Sequence, residues 1–251
     1  MDGYDLTTYG QRFADVYDQW YGHISDVDGT VSTVARTAAG GPVLELGVGT
    51  GRLALPLAAT GAVVTGVDSS TEMLDLLRAK PGADAIRALT GDMAELEGLL
   101  ANSAEADKFA VVLVAFNTFF NLSSADAQAR CLRGVAAVLQ PGGSLFLEAF
   151  VPQPDAPLAA VSPTRITADK VVLTATQVDP VAQTISGQHI DITEAGTRLR
   201  PWFIRYATPD QLDEAAAAAS LQLVERNGGW RGEPFDGTSR LHVSRYQLAA
   251  G

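Results

Sequence analysis

The stretch Val43-Leu44-Glu45-Leu46-Gly47-Val48-Gly49-Thr50-Gly51-Arg52 constrains the fold of this chain more than any other. A short apolar run enters a turn with glycine at every second position, and Leu53 and Leu57 then repeat at helical spacing up to Gly61. Glycine adopts left-handed backbone without steric cost and lets a ligand approach the main chain closely. The pattern predicts a strand over Val43–Leu46, a sharp turn, and a helix over 51–60, the opening of a βαβ unit. Pro56 fits that helix only if it starts late enough to put the proline in its first turn. Two phosphate-binding readings fail at this turn. A dinucleotide fingerprint needs its third glycine one residue later, where Arg52 stands, and Glu45 would repel a pyrophosphate. A P-loop needs a following Gly-Lys-Ser/Thr, which is missing.

Strand and helix patterns continue to alternate. Strands are predicted over 62–67 (ending on Asp68), 86–89, 109–115 and 144–150, with helices over 70–77 and from the Ser123-Ser124-Ala125-Asp126 capping pattern onwards. The continuous apolar run at 109–115 suits a central strand covered on both faces. This order predicts a doubly wound, largely parallel sheet. Beyond Val151 the texture changes: Pro152, Pro154, Pro157 and Pro163 predict a loop. Strands over 170–178, 183–193 and 197–206 then predict an antiparallel insertion. Thr208-Pro209-Asp210-Gln211 caps a last helix, followed by strands over 221–226 and Leu241–Leu248.

Composition narrows the partners. The 251 residues carry 18 basic and 29 acidic side chains, a net charge of −11, which disfavours nucleic acid or an anionic membrane surface as partner. No apolar run approaches the about 20 residues of a membrane helix. Cys131 has no cysteine to pair with, and no charged-then-apolar segment opens the chain, so a reducing, cytoplasmic setting is expected. Fifteen arginines against three lysines in an alanine-rich chain fit a GC-rich, bacterial genome. No cluster suggests a metal site.

The glycine turn, Thr65-Gly66-Val67-Asp68-Ser69-Ser70, Thr90-Gly91-Asp92-Met93, Phe116-Asn117-Thr118 and Leu139-Gln140-Pro141-Gly142-Gly143 together resemble the class I S-adenosylmethionine-dependent methyltransferases. The likeness spans residues 40–150, and the last helix and strands over 207–249 fit the same layout. It implies an α/β fold with a doubly wound, seven-stranded, mostly parallel Rossmann-like sheet whose last strand is antiparallel. The antiparallel β insertion would be an addition to that sheet. It implies S-adenosylmethionine as cofactor, S-adenosylhomocysteine as product, and methyl transfer to N or O of a small-molecule acceptor. By the same resemblance Gly47, Gly49 and Gly51 line the methionine and ribose, and Glu45 takes the amino group. Asp68 holds the ribose hydroxyls, Ser69 and Met73 border the adenine, Asp92 with Met93 reads its amino edge, and Phe116 and Asn117 face the methionine end.

Tyr17 and Tyr21 are four residues apart and share a helix face that Tyr9 and Phe13 extend. This is an aromatic core stripe or, by resemblance to small-molecule members with a Tyr-Asp-x-x-Tyr helix, a lid over the cofactor. Arg12 beside it is expected to meet the cofactor carboxylate or stay solvated. The expected organisation is a core over 1–150 and 207–251, with a helical lid over about 1–40. The 151–206 insertion would serve as acceptor-side cover or as the surface of a homodimer.

The layout is similar to the amino-sugar N,N-dimethyltransferases, in which the turn after the fourth strand positions the acceptor. That turn is 117–122 here, with Asn121 as its polar candidate. An amide cannot act as a base. His189 in the insertion is the histidine chosen for that role over His23 and His242, within a wall that includes Arg200, Trp202, Arg205 and Tyr206. The alternatives are a protein or nucleic-acid methyltransferase and a non-catalytic cofactor-binding module. The acidic charge and the absence of an Asn/Asp-Pro-Pro-Tyr/Phe signature at Phe116–Phe120 weigh against nucleic acid.

Overall fold

The computed structural model describes residues 1–22, 25–101, 108–153 and 155–249. The chain opens with α1 (Thr8–Phe13), α2 (Tyr17–Tyr21) and α3 (Val27–Ala38). It then alternates β1 (Val43–Leu46), α4 (Ala54–Ala59), β2 (Val64–Asp68), α5 (Thr71–Arg78), β3 (Ile86–Thr90), α6 (Leu96–Ala101), β4 (Phe109–Val114), α7 (Ala125–Val138) and β5 (Leu139–Phe150). A second group follows: β6 (Ala159–Ile166), β7 (Lys170–Asp179), β8 (Thr184–Thr193) and β9 (Gly196–Arg205). The chain closes with α8 (Pro209–Ala218), β10 (Leu221–Asn227) and β11 (Leu241–Leu248).

The main sheet has seven strands in the order β10-β11-β5-β4-β1-β2-β3. β1 pairs in parallel with β2 and β4, β2 with β3, and β4 with β5. β11 is antiparallel to both β5 and β10, so the last strand alone runs against the others. All residues of β1 and β4 are buried, as central strands covered on both faces must be. One face packs against Val34 of α3, Leu57 of α4 and Leu74 of α5, the other against Leu132 and Val135 of α7 and Leu212 of α8. Strand order reverses between β1 and β4. That switch point opens a crevice at the carboxyl ends of the strands.

Several local expectations shift for identifiable reasons. The helix after the glycine turn begins at Ala54, because positive φ at Gly49 and Gly51 carries the turn further, and Pro56 falls in its first turn. Ser124 caps α7 by accepting from Ala127 N–H at 3.1 Å; with alanine there, the reciprocal half of a capping box is missing. The Pro141-Gly142-Gly143 break lies inside β5, where the pairing with β4 shifts register between Phe109 and Val111. The proline-rich segment expected to be a loop contains β6. Pro163 is tolerated because β6 is an edge strand whose pairing slips between Pro163 and Arg165. The N-terminal aromatics occupy two short helices, α1 and α2, and not one continuous face. No helix among the described residues is long and apolar enough to cross a membrane.

Candidate active site

The glycine turn is bent by positive φ at Gly47 (71°), where any side chain would also collide with Thr118, a Cβ lying 2.3 Å from its Cγ2. Asp68, at the end of β2, holds the turn: its Oδ2 accepts from Gly49 N–H at 2.8 Å and its Oδ1 from Ser70 N–H at 2.9 Å. Its main-chain carbonyl accepts from Gly91 N–H at 2.9 Å, which draws in the end of β3. Ser70 caps α5 by accepting from Met73 N–H, and Asp92 accepts from Ala94 N–H at 2.8 Å.

These strand ends enclose a cavity of ≈ 740 Å³, its open mouth included, within the range of small-molecule sites. Its floor is Gly47, Gly49, Val67, Asp68, Ser69, Met73, Gly91, Asp92 and Met93, with Thr118 and Asn121 from the turn after β4. Its roof is N-terminal: Tyr4, Asp5, Leu6, Tyr9, Gly10 and Tyr17. Ser69 Oγ donates to the Leu6 carbonyl, and Gly10 sits so close to Ser70 that a Cβ would lie 2.2 Å from its side chain. Two aspartates tie the roof down. Asp15 pairs with Arg200 (2.6 Å) and Arg198 (2.7 Å) of β9, and Asp18 accepts from Thr50 and pairs with Lys80 at 2.6 Å. α3, by contrast, packs on the sheet with the core.

Glu45 lies beneath the turn, buried, with Oε2 lacking a partner. Burial pushes its carboxyl up to about 8, with Arg52 opposing the shift and Asp68 adding to it. An unpartnered buried carboxyl beside a nucleoside-sized crevice fits the ammonium of an amino-acid tail. Asp68, also raised by burial, presents its carboxylate to the same cavity. The residues therefore fit a nucleoside carrying an α-amino acid.

Of the residues singled out from sequence, Tyr9, Tyr17, Gly47, Gly49, Asp68, Ser69, Met73, Asp92, Met93 and Asn121 line this cavity. Tyr21 and Phe116 contact each other nearby, their ring centroids 6.0 Å apart, and Gly51 closes the turn against Leu77. Three residues are placed elsewhere. Arg12 is exposed, and its carbonyl accepts from Arg200. Asn117 spends its Oδ1 on Phe150 N–H at 2.7 Å, fastening the turn after β4 to the end of β5. His189 is packed among Phe13, Trp20 and Trp202 and bonds Thr174 Oγ1 through Nδ1 at 2.8 Å, while burial lowers its pKa.

The insertion face is thus spent on holding the roof. Trp202 packs with the roof aromatics, Arg200 is consumed by Asp15 and Asp191, and Arg205 bonds Gln128 of α7. His242 is buried against Ser244, with its pKa lowered to about 4, and His23 lies outside the described residues. Sequence reasoning missed Tyr4, Asp5, Leu6, Gly10 and Thr118. Asp5 had left a signal: its carboxylate accepts from Thr7 and Thr8 N–H, a turn pattern before a helix.

A crevice at the switch point, carboxylates at the ends of β1 and β2 and no phosphate cradle define a class I S-adenosylmethionine-dependent methyltransferase. Residues 43–143 match the family described as "Methyltransferase domain". The chain is 30% identical over 244 residues to a cypemycin N-terminal methyltransferase of a Streptomyces species, across 94% of this chain and 96% of that protein. The CcbJ methyltransferase of Streptomyces caelestis superposes with a TM-score of 0.89 at 42% identity, across 98% of this chain and 100% of that one. CalS10, an amino pentose methyltransferase from Micromonospora echinaspora, shares the fold at 22% identity and a TM-score of 0.66, across 92% of this chain and 96% of that one. The chain belongs to the S-adenosylmethionine-dependent methyltransferase family.

The raised Glu45 carboxyl gives a stability signature. Between its unfolded value of 4.5 and its folded value of about 8, the folded chain keeps a proton that the unfolded chain has lost. Stability from this group therefore falls as pH rises through that window, by at most about 1.4 kcal/mol per pH unit. Urea unfolding of the ligand-free protein at pH 5.5 and 8 is expected to show wild type losing stability relative to Glu45→Gln; parallel behaviour of the two would contradict the assignment.

Proposed function

We propose that the chain transfers a methyl group from S-adenosylmethionine to a nitrogen or oxygen of a small-molecule acceptor, with nitrogen preferred. The observation that carries this reading is the cavity at the ends of β1, β2 and β3, which Asp68 and Asp92 line under an aromatic roof, with Glu45 buried on β1 before the glycine turn. The preference for nitrogen follows the likeness to the cypemycin N-terminal methyltransferase. When bound, the cofactor supplies an electrophilic methyl on a sulfonium. Everything else falls to the chain. Asp68 has lone pairs left for a ribose diol, Asp92 and Met93 border the adenine, and Glu45 faces the ammonium. Tyr9 and Tyr17 roof the site against water, and Asn121 orients the acceptor by hydrogen bonding.

Among the described residues that line the cavity, none presents a group free to take a proton. Asp5, Asp68 and Asp92 are engaged by main-chain N–H groups, and burial raises Tyr9 well above its usual value and Tyr17 to about 12. His189 belongs to the packing between roof and insertion. An amine acceptor therefore enters as the neutral base, and positioning in a dry pocket supplies the acceleration.

The net charge of −11 supports a neutral or cationic acceptor over nucleic acid. A cytoplasmic, bacterial setting is the accompanying reading. The outer face of the insertion, with Val161, Ile166, Ile192 and Leu199 exposed on one side of the sheet, is the proposed contact between two copies.

Three measurements check these statements. Calorimetric titration with S-adenosylhomocysteine should show at least tenfold weaker binding by Asp68→Ala; undiminished affinity in the folded variant removes the ribose assignment. With a saturating cofactor and a radiolabelled methyl, kcat/KM for an amine acceptor should rise with pH until the acceptor's own pKa, because the protonated amine has no lone pair to offer. A plateau set instead by an enzyme group near neutrality would identify a base. Equilibrium sedimentation should find a dimer that Leu199→Lys dissociates, and a monomeric wild type would end that reading.

A further inference from the structure

We propose that a second cavity, divided from the first by the turn after β4, holds a cationic group of the acceptor remote from the atom that is methylated. This deepens the reading of a small-molecule methyltransferase and rests on it.

The second cavity measures ≈ 880 Å³, its open mouth included. It lies at the carboxyl ends of β4 and β5, where Leu241 of β11 pairs with Phe150, and the segment between β10 and β11 adds Trp230 and Glu233 to its wall. One turn serves both cavities: Thr118 and Asn121 line the first, Phe116 and Asn117 the second. Phe116 and Asn117 both stand in left-handed backbone, at φ 53° and 62°, which is costly for a phenylalanine. β5 holds them there. The Phe116 N–H donates to Glu148 Oε2 at 2.7 Å, the Asn117 N–H to the Glu148 carbonyl at 3.1 Å, and the Phe150 N–H to Asn117 Oδ1 at 2.7 Å.

Glu148 therefore lies in the wall with half of its carboxylate spent. The residue is only 8% exposed, and Oε1 has no hydrogen bond among the described residues. A carboxylate so buried needs a partner for its remaining lone pairs. The neighbouring charges do not supply one. Asp26 is paired with Arg231 at 2.6 Å, and Glu233 accepts from the Arg231 N–H at 2.9 Å. Arg240, the one cation among the lining residues, donates to Gln153. Asp26, Glu148 and Glu233 against Arg240 leave the lining negative.

A second loose end stands in the same wall. Trp230 is 5% exposed, and its indole N–H has no partner. Phe116, Phe150 and Trp230 also give the cavity aromatic surface, and ring faces attract cations. A molecule with an ammonium for Glu148, an aromatic or apolar body and an oxygen for the indole N–H meets each of these features.

The probe is tyramine, an ammonium joined by two carbons to a phenol. Its counterpart, 3-(4-hydroxyphenyl)propanoate, carries a carboxylate in place of the ammonium. Binding is read from the indole N–H signals of the ¹⁵N-labelled protein saturated with S-adenosylhomocysteine, the Trp230 signal being the one lost in Trp230→Phe. Tyramine should shift that signal saturably and leave those of Trp20 and Trp202 in place, and the anion should bind at least tenfold more weakly. Glu148→Gln, whose amide can still accept from the Phe116 N–H, should bind tyramine at least fivefold more weakly than wild type. An unmoved Trp230 signal, equal binding of the two probes, or undiminished tyramine binding by a folded Glu148→Gln would each overturn the proposal. If Glu148→Gln does not fold, the comparison of the two probes in wild type decides. Failure to bind tyramine in a protein that binds S-adenosylhomocysteine would overturn this proposal alone. Failure to bind S-adenosylhomocysteine would overturn the cofactor reading, and the acceptor role with it.

Discussion

The carboxylate of Asp68 is the point at which three strand ends are joined. One oxygen takes the Gly49 N–H of the turn after β1, the other takes the Ser70 N–H that begins α5, and the residue's own carbonyl takes the Gly91 N–H beyond β3. A carboxylate accepting two main-chain N–H groups is strongly oriented. It fixes the glycine turn relative to the next strand before any ligand arrives. The crevice at the switch point follows from strand order, but its shape depends on this knot.

A site built this way still has to be closed against water, and closure comes from outside the sheet. The roof is made of short helices, α1 and α2, which are too brief to be stable alone. Their stability is tertiary: Phe13 is fully buried, Gly10 lies against Ser70, and Asp15 and Asp18 anchor the segment to β9 and to the glycine turn. Asp18 thereby gains a role that its neighbours Tyr17 and Tyr21 overshadow in the sequence. The inner face of the insertion is consumed in the same task, and for that reason His189, Arg200 and Trp202 face the roof aromatics and not the cavity.

The main sheet was legible because its signals are local and strong. β1, β4 and β11 announce themselves by apolar runs and alternation, and α8 by its full capping box, with Thr208 and Gln211 satisfying each other's main-chain N–H. Gly47, Asp68 and Asp92 were legible for the same reason, each standing at the carboxyl end of a strand. β6 was not, because three prolines precede it and Pro163 interrupts its ladder as an edge strand, so neither alternation nor composition announces it. Arg12 and Arg52 show the limit most sharply. Both are arginines close to motif residues, yet one projects into solvent while the other is stacked on Phe116, a residue 64 positions further along the chain.

By itself, the sequence determined the doubly wound core, the glycine turn and the class of chemistry, since glycine placement, hydrophobic period and strand-end carboxylates are written within short windows. Tertiary structure alone decided which side chains meet across the crevice. It spent Asn117 on the backbone of Phe150, packed His189 away from the cavity, and left Glu45 Oε2 and Arg52 Nε buried without partners. Such pairings depend on where distant segments cross, and burial and unmet hydrogen-bonding capacity exist only after the chain has closed on itself.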